Sequence, residues 1–414
     1  MPDSASGYRD GPLGGTDMSY TETTRTSWFT KLKNGLVGTL IGIVLVLVAI
    51  YFLFWNEGRA IQTYRALAEG AGLVLSVDSG KVDAANDGKL VHISGAVTPN
   101  GTVSDPQFGI RADGALAVVR EVEMYQWVEK SESKTEKNVG GSEETVTTYS
   151  YSKQWSARRV DSSNFKVPGG HENPDFAVAP NRVTVETANV GAFRLQGTSV
   201  ANLGNEKIIP LAQADADRMR DNIATTRPVR LNQGEIYVGT SSTSPQVGDL
   251  RIRFERTDLA EASFVGRQQG DTLAAYTASN GRKIFLSAAG RKEAAAMFEQ
   301  AQTENTIITW VIRVAGLIGI FIGFQLFFGL FGVIGDVIPF VGSLVRGGTA
   351  IIALVLTLII GPITIAVGWF AYRPLLALSI IGGGLAIAAL VIFLKRRSAP
   401  GAAPSDRVVL GRGG

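Results

Sequence analysis

Apolar residues in this chain are concentrated in two regions that carry almost no charge. The first region, Leu36 to Trp55, is 20 residues long and contains no charged side chain. At a rise of about 1.5 Å per residue, such a helix crosses a hydrocarbon layer of about 30 Å. It ends in aromatic residues, among them Tyr51 and Trp55, which favour the headgroup zone. We therefore predict an uncleaved membrane-spanning helix over residues 35–55 rather than a cleaved signal peptide.

The second apolar region divides into three further predicted spans. They cover residues 306–334, 350–372 and 375–394. A connector rich in Gly and Pro is predicted at residues 335–349, and Arg373 with Pro374 is predicted to turn the chain between the last two spans. Arg313 falls one turn inside the second span, where a long side chain is expected to reach back to the interface.

Positive charge beside the spans predicts their orientation. Arg25, Lys31 and Lys33 precede the first span, and Lys395, Arg396 and Arg397 follow the fourth. Basic residues close to spans are enriched on the cytoplasmic side. Both ends are therefore predicted to be cytoplasmic tails, a disordered one at 1–34 and another at 395–414.

The region between the first two spans, residues 56–305, is then predicted to lie on the opposite side of the membrane. This is the periplasm for a bacterial inner membrane protein. It is a lumen for a protein of the endoplasmic reticulum or inner nuclear membrane.

The pattern within residues 56–305 is that of a globular domain. Helical spacing predicts helices at Asn56–Gly72, Pro210–Ile223 and Arg291–Glu304. Two-residue alternation predicts strands, which include Leu90–Val97, Arg182–Leu195, Gly234–Gly239, Asp249–Glu255, Glu261–Arg267 and Lys283–Ala289. The predicted fold class is thus α+β: four transmembrane helices, with a large sheet-rich α+β domain outside the cytoplasm between helices 1 and 2.

A long hairpin is predicted within this domain. Its arms are Ala115–Glu129 and Glu143–Val160, and the polar segment Lys130–Ser142 between them is expected to be a mobile loop. Aromatic side chains alternate along both arms: Tyr125, Trp127, Tyr149, Tyr151 and Trp155. This face belongs either to the core or, if exposed, to a surface that binds a partner or lipid. Arg59, beside the first span, is a further candidate for contact with lipid phosphate.

Composition adds few sites of chemistry. The net charge of +3 does not favour nucleic acid as a partner, and the chain has no cysteine. His92 lies in a predicted strand and is expected to be a core residue, while His171 and Glu172 lie in a loop without the three or four convergent ligands of a metal site. Neither a G-x-S-x-G motif nor a P-loop occurs. We therefore predict no catalytic residue, metal or cofactor, and no enzymatic activity.

Several strings of this chain resemble one family, the transmembrane protein 43 (LUMA) family. They occur in the same order from the first span to the fourth: NEGRA (56–60), LAEG (67–70), KLVHISGA (89–96), SDPQFG (104–109), VEMYQWVE (122–129), GHENP (170–174), VGDLRIRF (247–254), RQQGDTL (267–273) and GWFAYRPL (368–375). The resemblance implies four spans with a large luminal domain, and an organising rather than catalytic function. The Ala-, Gly- and Arg-rich style of this chain suggests a bacterial member.

The leading hypothesis is a multi-pass scaffold that assembles partners, or copies of itself, through its domain and helix bundle. Its predicted partners are membrane lipids, other membrane or envelope proteins and a second copy of the chain. One alternative is a lipid-binding or membrane-organising protein. Another is an exported enzyme for which the spans serve only as an anchor.

Overall fold

Five α-helices occur in the residues that the computed structural model describes, namely 5–7, 19–373 and 379. They are α1 (Trp28–Leu73), α2 (Gly197–Ala201), α3 (Gln213–Asn222), α4 (Ala294–Gly335) and α5 (Pro339–Tyr372). Three of them, α1, α4 and α5, are long and apolar enough to cross a membrane. Apart from Ser379, the fourth predicted span, 375–394, lies outside the described residues.

The long helices extend beyond the apolar stretches that predicted them. The segment Asn56–Gly72 continues α1 without a break, as its helical spacing indicated. At the other end, α1 begins at Trp28, where the hydroxyl of Ser27 accepts a hydrogen bond from the backbone N–H of Thr30 at 3.2 Å. The predicted connector 335–349 is mostly helical because α5 already begins at Pro339, a residue type that suits the first turn of a helix.

The strands of the described residues are short, with three exceptions longer than ten residues. In chain order they are β1 (Ala5–Gly7), β2 (Ser19–Thr26), β3 (Leu75–Ser76), β4 (Leu90–Asn100), β5 (Val103–Ser104), β6 (Arg111–Ala112), β7 (Ala117–Lys137), β8 (Glu143–Ser156), β9 (Asn181–Thr184), β10 (Thr187–Val190), β11 (Phe193–Gln196), β12 (Asn205–Ile208), β13 (Val229–Asn232), β14 (Glu235–Val238), β15 (Leu250–Asp258), β16 (Glu261–Gln269), β17 (Thr272–Ala274), β18 (Tyr276–Thr277), β19 (Lys283–Ile284) and β20 (Leu286–Ala289).

Most strands belong to two sheets that share one core. The first sheet has the order β1-β2-β8-β7-β15-β14-β13, with β12 also on β15 and β9 also on β7; the second has the order β11-β10-β4-β16-β17, with β20 on β16 and β3 on β4. Alternate side chains of β15, such as Ile252 and Phe254, pack against Ile93 and Phe264 of the second sheet. A sheet-rich α+β middle region is therefore confirmed.

The long helices also enter the core of the domain. Ala66 and Leu67 of α1, together with Met297 and Phe298 of α4, form a second cluster with apolar residues of β4, β16, β19 and β20. Gly70 makes this approach possible, since a Cβ atom there would lie 2.8 Å from the side chain of Ile284. The domain is thus packed onto the two helices that lead to the apolar segments.

The hairpin is longer than predicted. The prediction of a loop at Lys130–Ser142 is wrong, because most of this segment belongs to β7. β7 and β8 remain paired out to Lys137 and Glu143, so that only residues 138–142 form the turn. Hydroxyl groups stabilise this polar extension across the strands, with Ser133 and Thr147 in contact at 2.9 Å, and Thr135 and Thr145 also at 2.9 Å. β2 adds a third strand along β8, so residues 19–34 differ from the predicted disordered tail.

The tip of this polar ribbon lies at the end of the helices farthest from the domain core. The N–H of Gly140 donates to the carbonyl of Val337 at 3.0 Å, and the ammonium of Lys31 donates to the carbonyl of Gly141 at 3.2 Å. Polar strands with an open edge are not tolerated in hydrocarbon. The tip can therefore contact these helix ends only if no bilayer surrounds the apolar length of α1 and α4. If a bilayer surrounds it, the tip must lie elsewhere.

Candidate functional site

A network of polar side chains lies where the apolar part of α1 ends and its domain part begins. Glu57 is 1% exposed and accepts two hydrogen bonds, from Nε and Nη2 of Arg313 on α4, each at 2.7 Å. This two-pronged pairing is the strong geometry for a carboxylate and a guanidinium. It compensates the charge that Arg313 brings into the second apolar segment, so Arg313 does not rely on reaching water.

Arg59 lies one turn further along the same network. Its guanidinium donates to Asn305 at 3.0 Å, to Thr309 at 3.0 Å and to Asn56 at 3.2 Å. These contacts direct Arg59 towards α4, although the sequence suggested contact with lipid. Burial lowers the pKa of Arg59, and so does the nearby positive charge of Arg282. Arg59 nevertheless keeps its positive charge at neutral pH, as guanidinium groups do in proteins.

α5 closes the junction through two glycines. A Cβ atom on Gly58 would lie 2.4 Å from the ring of Tyr372, and one on Gly368 would lie 3.1 Å from the side chain of Glu57. The missing side chain at Gly58 permits the closer of these approaches, and at Gly368 an added Cβ atom would be in tight contact with Glu57. As a result, the strings NEGRA and GWFAYRPL, more than 300 residues apart in the sequence, meet at one end of the helices.

A pocket of about 160 Å³ opens beside this junction. It is lined by Glu57, Ala60, Ile61, Tyr64, Asn305, Thr306, Thr309, Trp310, Arg313, Trp369 and Arg373. The guanidinium of Arg313 lies 4.9 Å from the ring centre of Trp310, and that of Arg373 lies 5.4 Å from the ring centre of Trp369. The pocket is therefore lined by two guanidinium groups, each beside a tryptophan ring, and by the carboxylate of Glu57.

The predicted aromatic face of the hairpin forms two groups. In the first, Trp155 lies 5.3 Å from Tyr125 and 6.2 Å from Tyr237, with the guanidinium of Arg251 at 4.0 Å from its ring. The pairing of Tyr125 with Trp155 across the strands confirms that these residues share one face. Both are half-buried, so this group is partly open at the outer side of the first sheet.

The second aromatic group is mostly covered. Tyr151 is 2% exposed, stacks on His171 at 3.9 Å and donates its hydroxyl to Glu129 at 2.7 Å. Burial raises the pKa of this hydroxyl. Trp127 lies 4.8 Å from the ring of His171, and Tyr149 lies 6.3 Å from Tyr20 on β2. These side chains serve mainly to hold the hairpin against the loop that contains His171.

Neither histidine lies in a group of metal-ligating side chains among the described residues. His92 is buried, with its Nε2 2.8 Å from the carbonyl of Lys292 and its Nδ1 3.2 Å from the hydroxyl of Ser76, as expected for a core residue. His171 bonds the carbonyl of Val167 through Nδ1 at 2.9 Å. Within residues 5–7, 19–373 and 379, no group of three or more His, Cys, Asp or Glu side chains could hold a metal ion.

A second charged cluster surrounds Asp336 at the opposite end of the helices. This fully buried carboxylate accepts hydrogen bonds from Lys31 at 2.6 Å and from Arg346 at 2.8 Å, and Lys137 of the ribbon lies 3.6 Å away. Burial opposes the ionisation of Asp336, but the bonds from Arg346 and Lys31 outweigh it and lower the pKa to about 2. This cluster was not predicted from the sequence, where its signal is an acidic residue, Asp336, between the basic residues Arg313 and Arg346.

Comparison with known proteins gives consistent matches over most of the chain. The family model described as Transmembrane protein 43 matches residues 124–374. Transmembrane protein 43 of Mus musculus is 33% identical over 379 residues, which are 88% of this chain and 92% of the mouse protein. The Homo sapiens protein is 32% identical over the same shares. The homolog of Drosophila melanogaster is 27% identical over 88% of this chain and 95% of its own. No solved structure shows a significant match.

Proposed function

Because the chain belongs to the transmembrane protein 43 family, we propose that it is a multi-pass membrane scaffold. In this proposal α1, α4 and α5 cross the bilayer, and residues 56–305 form a domain on the side opposite the predicted cytoplasmic tails. The domain binds other envelope proteins or a second copy of the chain, and it catalyses no reaction. For a bacterial inner membrane, the domain faces the periplasm.

The observation that supports this proposal best is the continuity of the helices with the domain core. α1 and α4 run unbroken from their apolar segments to Leu67 and Phe298, which pack under the second sheet. A flexible linker would let the domain turn freely, whereas two continuous helices fix its orientation relative to the membrane. Fixed orientation is what a scaffold requires to position its partners.

The proposed topology separates the ribbon tip from the helix connector. A bilayer around the apolar segments leaves no place for polar strands beside them. In the membrane, therefore, β8 and the tip at residues 138–142 stay with the domain, and β2, which precedes the first span, does not pair with β8. Lys31, Asp336 and Arg346 remain together at the cytoplasmic ends of the helices. That smaller cluster needs no residue of the ribbon for its two closest ion pairs.

The half-open aromatic group around Trp155 is the proposed partner surface. Two half-buried aromatic rings and the stacked Arg251 combine residue types that are enriched at interaction hot spots. Trp155→Ala would remove the central ring, while Phe285→Ala changes a 37% exposed aromatic residue just before β20 as a matched control.

Crosslinking in intact membranes followed by native purification tests this function. We expect the unaltered chain and Phe285→Ala to yield a defined oligomer or a specific crosslinked membrane protein, and Trp155→Ala to reduce that product by at least about tenfold, since hot-spot truncation costs about 2 kcal/mol. Equal thermal unfolding of the two variants would show that the domain remains folded. A chain that stays monomeric and uncrosslinked at every crosslinker concentration would refute the scaffold.

A further inference from the structure

We propose that the pocket at the junction of α1, α4 and α5 binds the phosphate of an anionic phospholipid headgroup. This inference rests on the proposed membrane position of the three helices. It names a ligand that an assembly function alone does not require.

The charge balance of the pocket favours an anion. Glu57 offsets one positive charge, that of Arg313, through their two hydrogen bonds. Arg373 is different, because among the described residues its guanidinium has no ion pair and stacks only on Trp369. Arg59, bonded to the pocket residues Asn305 and Thr309, adds a second uncompensated charge. The pocket is therefore positive by about two charges, a strong attraction at a membrane surface.

The depth of the pocket matches that of headgroups. The uncharged stretch of α1 ends at Trp55, two residues before Glu57, and the apolar part of α4 begins at Thr306. Trp310 is 58% exposed and Tyr64 is 48% exposed on the two sides of the opening. Tryptophan and tyrosine favour this boundary between hydrocarbon and water. A phosphate bound to Arg373 would therefore lie where lipid phosphates lie.

Apolar faces continue from the pocket along the helices. On α4, Val314 and Ile318 follow Trp310 at four-residue spacing and are more than half exposed, and on α5 Leu358 lies three turns from Trp369 on the same face and is 60% exposed. Acyl chains attached to a headgroup in the pocket would pack against these apolar side chains. A free phosphate would gain nothing from them, which favours a whole lipid as the occupant.

Titration of the purified full chain with lipids tests the site. Native mass spectrometry would follow bound phosphatidylglycerol and, separately, phosphatidylcholine with identical acyl chains. We expect a preference for phosphatidylglycerol that falls about fivefold in Arg373→Gln, the factor for losing roughly 1 kcal/mol per basic residue. Arg111→Gln, an equal charge change at an exposed position of β6, should leave the preference unchanged. Arg373→Lys should retain most of it.

Three outcomes would overturn the site: equal binding of the two lipids, equal loss in Arg373→Gln and Arg111→Gln, or full competition by glycerol 3-phosphate without acyl chains. Resistance of the same variants to alkaline extraction from membranes provides the separate readout. A chain that resists extraction but shows no lipid preference refutes the site alone. A chain that is extracted refutes the proposed membrane position as well.

Discussion

A buried carboxylate next to an apolar segment is tolerated here because Arg313 binds both oxygens of Glu57. The sequence indicated only that Arg313 would reach back to the interface. The actual pairing of Arg313 with Glu57 joins residues 256 positions apart. A single sequence carries no information on which distant groups meet. Glu57 and Arg313 could therefore be identified as charged residues near the apolar segments, but their pairing could not be predicted.

Asp336 gives a pH dependence that can be tested. Hydrogen bonds from Arg346 and Lys31 lower its pKa to about 2, below the ordinary value of 3.8. A lowered carboxylate pKa means stabilisation that is complete above about pH 5 and is lost progressively as the pH falls through the folded-state pKa of about 2. We expect thermal unfolding of the unaltered chain to shift to lower temperature across this interval.

The matched variant for this test is Asp336→Asn, which keeps the shape of the side chain. It removes the charge that Lys31 and Arg346 share. Because Arg346 is 35% exposed and solvent screens its pairing, losing these hydrogen bonds to a charged group costs about 1–3 kcal/mol. The variant should unfold at lower temperature at pH 7 and lose part of the pH dependence between about pH 5 and 2. An unchanged profile in the variant would show that the cluster does not stabilise the helix ends.

At the scale of elements, α1 and α4 are held together by a close approach of glycines. A Cβ atom on Gly42 would lie 2.5 Å from the carbonyl oxygen of Gly323, and one on Gly323 would lie 2.6 Å from Val46. Small residues of this kind allow helix backbones to pack closely within membranes. The pairing of the first two spans therefore depends on Gly42 more than on the large apolar residues around it.

Gly42→Ile should separate the two helices, whereas Gly38→Ile should be tolerated because nothing lies within 4 Å of the Cβ position at Gly38. Overpacking of this kind costs about 1–3 kcal/mol, and more where backbone atoms must move. Thermal unfolding in detergent would measure the difference. Equal stability of the two variants would contradict the packing of α1 against α4.

The ribbon shows where element prediction from the sequence failed. The apolar alternation of VEMYQWVE predicted its inner arms, and β7 and β8 confirm them. Beyond Lys130 the strands are polar on both faces, so no alternation of apolar and polar residues marks them. In the structure they are joined by cross-strand hydroxyl contacts, and β2, which lies more than 100 residues away in the chain, adds a further strand along β8.

For the whole molecule, the apolar pattern was the most informative part of the sequence. It predicted the three long helices that the structure describes and the sheet-rich region between the first two. It did not predict which strands pair within each sheet, since pairs such as β4 with β16 join segments about 170 residues apart. Family membership agrees with the order of strings along the chain, from NEGRA to GWFAYRPL.

The proposed topology places the ribbon tip and the segment before the first span on opposite sides of the membrane, and labelling from one side measures this. The chain has no cysteine, so single substitutions give unambiguous labelling sites. Val139→Cys lies at the tip, where the side chain is 88% exposed, and Asn34→Cys lies just before the first apolar stretch. In sealed cells or vesicles, a membrane-impermeant maleimide should reach the two positions from opposite sides. Labelling of both positions from the same side would refute this topology.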